Sequence, residues 1–120
     1  MRYIIYGAGA VGGTMAARLF ESGQRVVIIA RGGHGRILAE RGLTFGTPEG
    51  VRTLRIPVVA QPSELTYGDD DVVVLAMKSQ DTTAALDALS RVAPPTVPIV
   101  CAQNGVANER RACRLFSDVH

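Results

Sequence analysis

The sequence predicts an α/β fold with a doubly wound, mostly parallel sheet. Residues 25–30 and 72–77 are continuous apolar runs rich in β-branched side chains, which is typical of parallel strands covered on both faces. Stretches with apolar residues at helical spacing lie between such runs, so strands and helices alternate along the chain. A strand, a helix and a second strand in succession form a right-handed βαβ unit.

The composition fits one globular domain. The chain has 120 residues, of which 47% are hydrophobic and 20% charged, so a single core can form and disorder is disfavoured. The net charge is only +2, and twelve of the thirteen basic residues are scattered arginines, which argues against a nucleic-acid-binding surface. We therefore expect residues 1–120 to form one domain.

The sequence contains no pattern typical of membrane insertion, metal binding or disulfides. A strand follows Met1 almost directly, without a leader pattern, and no apolar run approaches the roughly 20 residues that a membrane span needs. Cys101 and Cys113 lie in no metal-binding or redox motif, so we interpret them as free thiols. We expect a cytoplasmic protein with no membrane, metal or nucleic-acid partner.

The first predicted strand, residues 3–6, runs directly into a glycine-rich turn. Gly7, Gly9 and Gly12 follow it at G-x-G-x-x-G spacing, and a helical pattern then begins. In such a turn the first glycine allows a tight bend, the second admits a pyrophosphate, and the third lets helix pack on strand. Amides at the helix N-terminus then face the phosphates. The alternative is a glycine-rich turn without a ligand. The predicted dinucleotide-binding residues here are Gly7, Ala8, Gly9, Ala10, Val11 and Gly12.

Arg31 ends the second predicted strand, nineteen positions after Gly12. NAD-binding sites usually have Asp or Glu here to accept a hydrogen bond from the ribose 2′-hydroxyl, whereas Arg accommodates a 2′-phosphate. A guanidinium holds phosphate with two hydrogen bonds, and a carboxylate would repel it. Arg31 therefore favours NADPH over NADH. The alternative is that it only ends a strand at the surface.

The segment after Arg31 predicts an irregular insertion into the βαβ pattern. Its glycines predict a flexible loop over 32–35, followed by a short helix over 37–41. His34 in this loop could contact an adenine or a phosphate, but a solvated histidine is the simpler interpretation. Predicted strands over 43–45 and 51–59 flank a turn, so we expect a hairpin-like insertion whose second arm joins the sheet.

Three aspartates precede the strand over 72–77. Consecutive residues cannot all point one way, so Asp69, Asp70 and Asp71 predict a solvated strand entrance rather than a metal site. Asp81 is a candidate N-cap for the next helix. The predicted apolar face of that helix consists of Ala85, Leu86, Leu89 and Val92.

Four candidate segments share one place in the predicted fold. The glycine turn, Arg31, Lys78 and Asn104 each lie just past the carboxyl end of a predicted parallel strand, the last of them over 98–102. Ligands bind at this edge of doubly wound sheets. Lys78 offers a second cation for the adenosine phosphate, and Asn104 offers an amide toward the nicotinamide end. Taken singly, Lys78 could be a surface charge and Asn104 part of a turn.

These segments together resemble the N-terminal domain of the ketopantoate reductase (2-dehydropantoate 2-reductase) family. They are GAGAVGG at 7–13, Arg31, VVVLAMKSQD at 72–81 and IVCAQNGVANE at 99–109. The resemblance covers essentially the whole chain. It implies a Rossmann-like fold and NADPH-dependent reduction of a 2-keto acid, ketopantoate, to the 2-hydroxy acid pantoate, on the route to pantothenate and coenzyme A. It also implies that the glycine turn holds the pyrophosphate, Arg31 and Lys78 the 2′-phosphate side, and Asn104 the nicotinamide side.

Length sets the chain apart from this family. Members carry a second, helical domain with a catalytic lysine, which acts as the general acid, and an acidic substrate-binding residue; this chain has neither. A helix over 108–116 should be followed by another strand, so the N-terminal domain also looks truncated. The resemblance thus implies no catalytic residue in this chain, and binding of cofactor without turnover. Relatives often separate the lysine from a glutamine by two residues, whereas only Ser79 separates Lys78 from Gln80 here, so Gln80 receives no role.

Two other functions stay open. The chain could be a non-catalytic NADPH-sensing module, which a conformational response without turnover would reveal. It could also be the cofactor domain of another hydroxyacid dehydrogenase, which the KSQD and QNG segments disfavour. An incomplete sheet edge and an uncovered helix face also predict self-association, which sedimentation would test.

Overall fold

The computed structural model describes residues 1–102 and 106–120. Within them the strands and helices in chain order are β1 (Arg2–Tyr6), α1 (Ala10–Glu21), β2 (Arg25–Ile29), α2 (Gly32–Arg41), β3 (Leu43–Thr47), β4 (Gly50–Leu54), β5 (Val58–Val59), β6 (Asp71–Leu75), α3 (Thr82–Ser90), β7 (Ile99–Cys101) and α4 (Val106–Cys113). Five strands form one parallel sheet in the order β5-β2-β1-β6-β7. The predicted doubly wound, mostly parallel fold is confirmed.

Both faces of the central strand β1 are covered. Ile4 belongs to a buried cluster on one face that includes Leu86 and Leu89 of α3. Its neighbour Ile5 belongs to a second cluster on the other face, which includes Ala16 of α1. Successive strand residues point to opposite faces. This two-sided burial explains why the strands are apolar without alternation.

The residues after Arg31 form a helix rather than the predicted loop. Helix α2 begins at Gly32, so the prediction of a flexible glycine-rich segment was wrong. Gly35 is buried, and a Cβ on it would lie 1.8 Å from the carbonyl oxygen of Ala30. This glycine is therefore required for close packing of α2 on the end of β2.

The hairpin formed by β3 and β4 is a separate two-stranded antiparallel sheet. The second arm was predicted over 51–59; its first part stays in the hairpin as β4, and only its end, Val58–Val59, joins the main sheet as predicted. Pro57 lies between β4 and β5, and proline has no N–H to donate to a strand ladder. The chain joins the main sheet only after this interruption, where β5 pairs with β2.

Asp71 is buried, so the solvated strand entrance was predicted wrongly for this aspartate. Arg2 donates from Nε to Oδ1 at 2.7 Å and from Nη2 to Oδ2 at 2.8 Å, and the Gly68 amide donates to Oδ2 at 2.8 Å. Burial opposes ionisation of Asp71, but the hydrogen bonds from Arg2 and Gly68 outweigh it and lower the pKa of this carboxyl. Asp69 and Asp70 are exposed.

The last residues of the chain lie beside β7, where a further strand is expected. The amide of Ile99 donates to the Asp118 carbonyl at 2.8 Å, and the amide of His120 donates to the Ile99 carbonyl at 2.8 Å. A parallel bridge joins Ile99 to Val119. Residues 118–120 thus extend the parallel sheet by a short sixth segment.

In the part of the chain that the structure describes, no helix is long and apolar enough to cross a membrane. Among those same residues, no group of three or more His, Cys, Asp or Glu side chains could hold a metal ion.

Candidate functional site

A cleft of about 640 Å³ opens at the carboxyl ends of β1, β2 and β6. This volume lies within the roughly 300–1,000 Å³ of small-molecule sites. The connections wind in one direction from β1 through β2 to β5, and in the other from β6 to β7. The cleft therefore lies at the point where the strand order reverses, which is where doubly wound folds bind ligands.

Five of the predicted site residues line this cleft, and they come from three separate segments. They are Gly7, Ala8, Gly9, Arg31 and Lys78. Because the strands are parallel, their carboxyl ends meet at one edge of the sheet and bring these segments together.

The other predicted site residues have different placements. Ala10, Val11 and Gly12 form the first turn of α1 instead of the cleft wall, and Gly12 is buried. Asn104 lies outside the described residues, so its role toward the nicotinamide stays a prediction.

The three motif glycines have different surroundings. Gly7 has a φ of +105°, and a Cβ on it would lie 2.6 Å from the Met77 amide nitrogen. A Cβ on Gly12 would lie 2.1 Å from the Gly7 carbonyl oxygen. By contrast, a Cβ on Gly9 would have no heavy atom within 4 Å. Gly7 and Gly12 therefore serve the protein's own packing, whereas the space above Gly9 is open to a ligand.

Two helices begin at residues that line the cleft. Gly9 is the N-cap of α1 and Arg31 is the N-cap of α2. Neither helix start has a side-chain capping hydrogen bond or an acidic residue in its first turn. First-turn amides lack acceptors within their own helix, and the helix dipole places partial positive charge there. Together these two uncapped N-termini are suited to hold phosphate groups.

The charged side chains of the cleft carry a net positive charge. Arg31 lies just past the end of β2, and its Nη2 is 3.5 Å from Oδ1 of Asp81, which also lines the cleft. Lys78 is exposed just past β6, and its ammonium group makes no ion pair with any described residue. Two cations therefore face one carboxylate, which favours an anionic ligand.

His34 is exposed, as predicted, but it belongs to a helix rather than to a loop. It lies in the first turn of α2, and its Nε2 donates a hydrogen bond of 3.0 Å to the Ala8 carbonyl oxygen. This bond links the glycine turn to the helix that follows Arg31. Nothing in the sequence could reveal it, because the two residues are 26 positions apart and meet only through the packing of β1 on β2.

Sequence reasoning also missed Tyr6, Gln80 and the carboxylate of Asp81 as cleft residues. Burial raises the pKa of the Tyr6 phenol, and the nearby Arg31 guanidinium opposes this rise. Burial, together with the electrostatic effect of the nearby Tyr6, raises the pKa of Tyr67 to about 12. Both phenols are therefore neutral at physiological pH and offer hydrogen bonds rather than charge.

Comparison with protein families gives one match that spans nearly the whole chain. The family model "Ketopantoate reductase PanE/ApbA" matches residues 3–120. The chain is 36% identical over 107 residues to the 2-dehydropantoate 2-reductase of Mesorhizobium japonicum, covering 88% of the chain and 32% of that protein. It is 32% identical over 115 residues to the enzyme of the same name from Pyrococcus horikoshii, covering 96% and 36%. The chain thus spans about a third of the length of these relatives.

Solved structures give the same fold. The chain matches a PanE/ApbA family ketopantoate reductase from Ralstonia eutropha JMP134 with a TM-score of 0.87 and 29% identity, covering 99% of the chain and 40% of that protein. It also matches D-mandelate dehydrogenase with NADH and anilino(oxo)acetate with a TM-score of 0.86 and 24% identity, covering 99% and 39%. The latter likeness concerns the fold alone.

Proposed function

Because this chain belongs to the ketopantoate reductase family, we propose that it is the cofactor-binding part of an NADPH-dependent 2-dehydropantoate 2-reductase. The observation that carries this proposal is the convergence of two uncapped helix N-termini with Arg31 and Lys78 on one cleft. Such a site has the size and the charge that a phosphorylated dinucleotide requires.

The surroundings of each residue support a division of roles. The amides that follow Gly9 hold the pyrophosphate, since no protein atom occupies the space above that glycine. Arg31 and Lys78 hold the 2′-phosphate, and Asn104 contacts the nicotinamide side. When bound, the nicotinamide supplies the hydride for a 2-keto acid; the residues of this chain bind and orient the cofactor.

The choice of NADPH rests on Arg31. A protein of the same fold, D-mandelate dehydrogenase, has a structure with NADH, so the fold alone does not determine the cofactor. Arg31 stands where NAD-binding sites usually have an acidic residue. Its exposed guanidinium is accessible to a 2′-phosphate.

We further propose that residues 1–120 are a cofactor domain without turnover of its own. Lys78 is the sole lysine of the sequence, and phosphate binding occupies it. The general acid and the keto-acid site are therefore assigned to parts of the relatives that this chain does not match. A cytoplasmic location and self-association remain proposals that rest on the sequence.

Titration of the 120-residue chain with NADPH, and separately with NADH, tests this function at one fixed salt concentration. We expect saturable binding with a clear preference for NADPH, and no reduction of ketopantoate. If neither cofactor binds, the cleft is not a dinucleotide site in this chain and the proposal fails.

Arg31→Ala is expected to weaken NADPH binding by about 1.5–3 kcal/mol, the range for hydrogen bonds to charged groups. NADH has no 2′-phosphate, so its affinity should change little. The same titrations measure both effects. Arg36→Ala is the matched control, because Arg36 is an exposed arginine of α2 outside the cleft lining. Equal losses for the two cofactors would contradict the role of Arg31.

A further inference from the structure

Asp81 occupies an N-cap position without acting as a cap. It precedes α3, as predicted, but its side chain makes no capping hydrogen bond to that helix. The carboxylate lies instead in the cleft, with Oδ1 3.5 Å from Nη2 of Arg31. Aspartate is favoured at N-caps because its oxygen accepts a helix amide. Here the side chain is available for another purpose.

The contact with Arg31 is loose. Charge-assisted N–H···O bonds are about 2.7–2.9 Å long, which is shorter than this ion pair. The Arg31 side chain is 77% exposed and that of Asp81 is 41% exposed. The interaction free energy of such an exposed ion pair is small, so it does not fix the orientation of the guanidinium. Asp81 therefore does not lock Arg31 in place, but adds a negative charge next to it.

We propose that Asp81 is a specificity-determining residue that competes with a 2′-phosphate for Arg31 and so limits the preference of the cleft for NADPH over NADH. This inference rests on the proposed function of the cleft. Any group that reaches the Nη2 end of Arg31 also comes close to the Asp81 carboxylate. That carboxylate repels a phosphate but can accept a hydrogen bond from a ribose 2′-hydroxyl.

No other charged side chain in the described cleft lining could repel a 2′-phosphate as Asp81 does. Lys78 precedes the short 3-10 turn Ser79–Asp81 and is a cation, so it attracts the 2′-phosphate rather than repelling it. His34 lies on the glycine-turn side, bonded to Ala8. Among the described residues, Asp81 is the one acidic side chain in the cleft lining.

The test uses Asp81→Asn and Asp81→Ser, which remove the charge but keep residues that are favoured at N-caps. Asp87→Asn is the matched control, because Asp87 is an exposed aspartate of the same helix that pairs with Arg91 at 2.9 Å, outside the cleft lining. The dissociation constants for NADPH and NADH are measured for the wild type and each variant. Adenosine 2′,5′-bisphosphate and 5′-AMP serve as probes that differ only in the 2′-phosphate.

We expect both Asp81 variants to raise the ratio of NADPH to NADH affinity about tenfold, because removing the carboxylate relieves its repulsion of the 2′-phosphate of NADPH and takes away a hydrogen-bond acceptor for the 2′-hydroxyl of NADH. The affinity for adenosine 2′,5′-bisphosphate should rise relative to that for 5′-AMP by a similar factor. Asp87→Asn should leave the affinity ratio of the two cofactors and that of the two probes unchanged.

Three results would overturn the inference. An unchanged ratio would mean that Asp81 does not affect discrimination. Equal losses for both cofactors would assign it a structural role at the start of α3. Weaker NADPH binding alone would mean that it orients Arg31 instead of competing for it. In all three the wild type still binds NADPH, so the proposed function survives; if the wild type binds neither cofactor, both fail together.

Discussion

Gly12→Ala is expected to lower the free energy of unfolding by more than about 3 kcal/mol, beyond the usual cost of an added methyl group, because the neighbouring atom belongs to the backbone. The new Cβ would lie 2.1 Å from the Gly7 carbonyl oxygen and 3.0 Å from the Ala76 Cβ. Relief requires α1 to move away from β1, which would disturb the buried cluster that contains Ile5 and Ala16. Urea unfolding at neutral pH measures this change.

Gly9→Ala is the matched comparison in the same motif. Gly9 has a φ of −72°, which alanine adopts readily, and its Cβ would meet no protein atom within 4 Å. Its stability should stay within about 0.5 kcal/mol of the wild type. Binding of NADPH and NADH should weaken alike, since the pyrophosphate is common to both. This shared loss differs from the selective loss expected for Arg31→Ala.

Gly33→Ala controls for the effect of adding a methyl group to any helical glycine. Gly33 lies in α2 with nothing within 4 Å of its would-be Cβ and no positive φ. Its replacement should be neutral or slightly stabilising. A Gly12→Ala variant as stable as Gly33→Ala would show that α1 does not pack on the strand as closely as described.

Arg2→Met is expected to destabilise the fold by about 3 kcal/mol or more, because breaking a buried ion pair leaves a buried charge without its partner. The Asp71 side chain is only 5% exposed, and Arg2 supplies two of its hydrogen bonds. Asp71→Asn should cost somewhat less, since the Arg2 side chain, at 21% exposure, retains some contact with water. Urea unfolding at pH 7 measures both variants.

The contribution of Asp71 should depend on pH in a defined direction. Its pKa is lowered in the folded state, so the stabilisation is fully present above the unfolded-state value of about 3.9 and is lost as the pH falls through the lower folded value. The difference in stability between wild type and Asp71→Asn should therefore narrow as the solution is acidified below about pH 4.

Asp70→Asn is the control for the Asp71 variants. Asp70 is the preceding residue, and its side chain is 80% exposed at 3.7 Å from the N-terminal amine. Its stability change should stay within about 0.5 kcal/mol at every pH. If the difference in the free energy of unfolding between wild type and Asp71→Asn stays constant with pH, the lowered pKa of Asp71 is contradicted.

Patterns local to one stretch of chain were sufficient for much of the fold. The uninterrupted apolar strands indicated a parallel sheet covered on both faces, and the glycine spacing placed a tight strand-to-helix turn after β1. Parallel pairing then dictates that Arg31 and Lys78 share an edge with that turn. Both residues do line one cleft with Gly7 and Gly9.

Features that depend on contacts between residues far apart in the chain could not be predicted from local sequence patterns. The glycines after Arg31 suggest a loop by composition, but the role of Gly35 depends on how closely α2 approaches Ala30. The hairpin strands have ordinary β-forming residues, and pairing alone decides which sheet they join. Asp71 resembles its two exposed neighbours until Arg2, 69 positions away, is placed beside it.

The sequence by itself thus determined the class of fold, the glycine turn and the edge of the sheet at which the cleft lies, because these follow from side-chain periodicity, glycine geometry and strand direction. Only the tertiary structure decided that Asp71 is buried, that His34 bonds to Ala8 and that Asp81 faces Arg31. Each of these contacts joins residues far apart in the chain. Their energies depend on distance, burial and orientation, which no local pattern encodes.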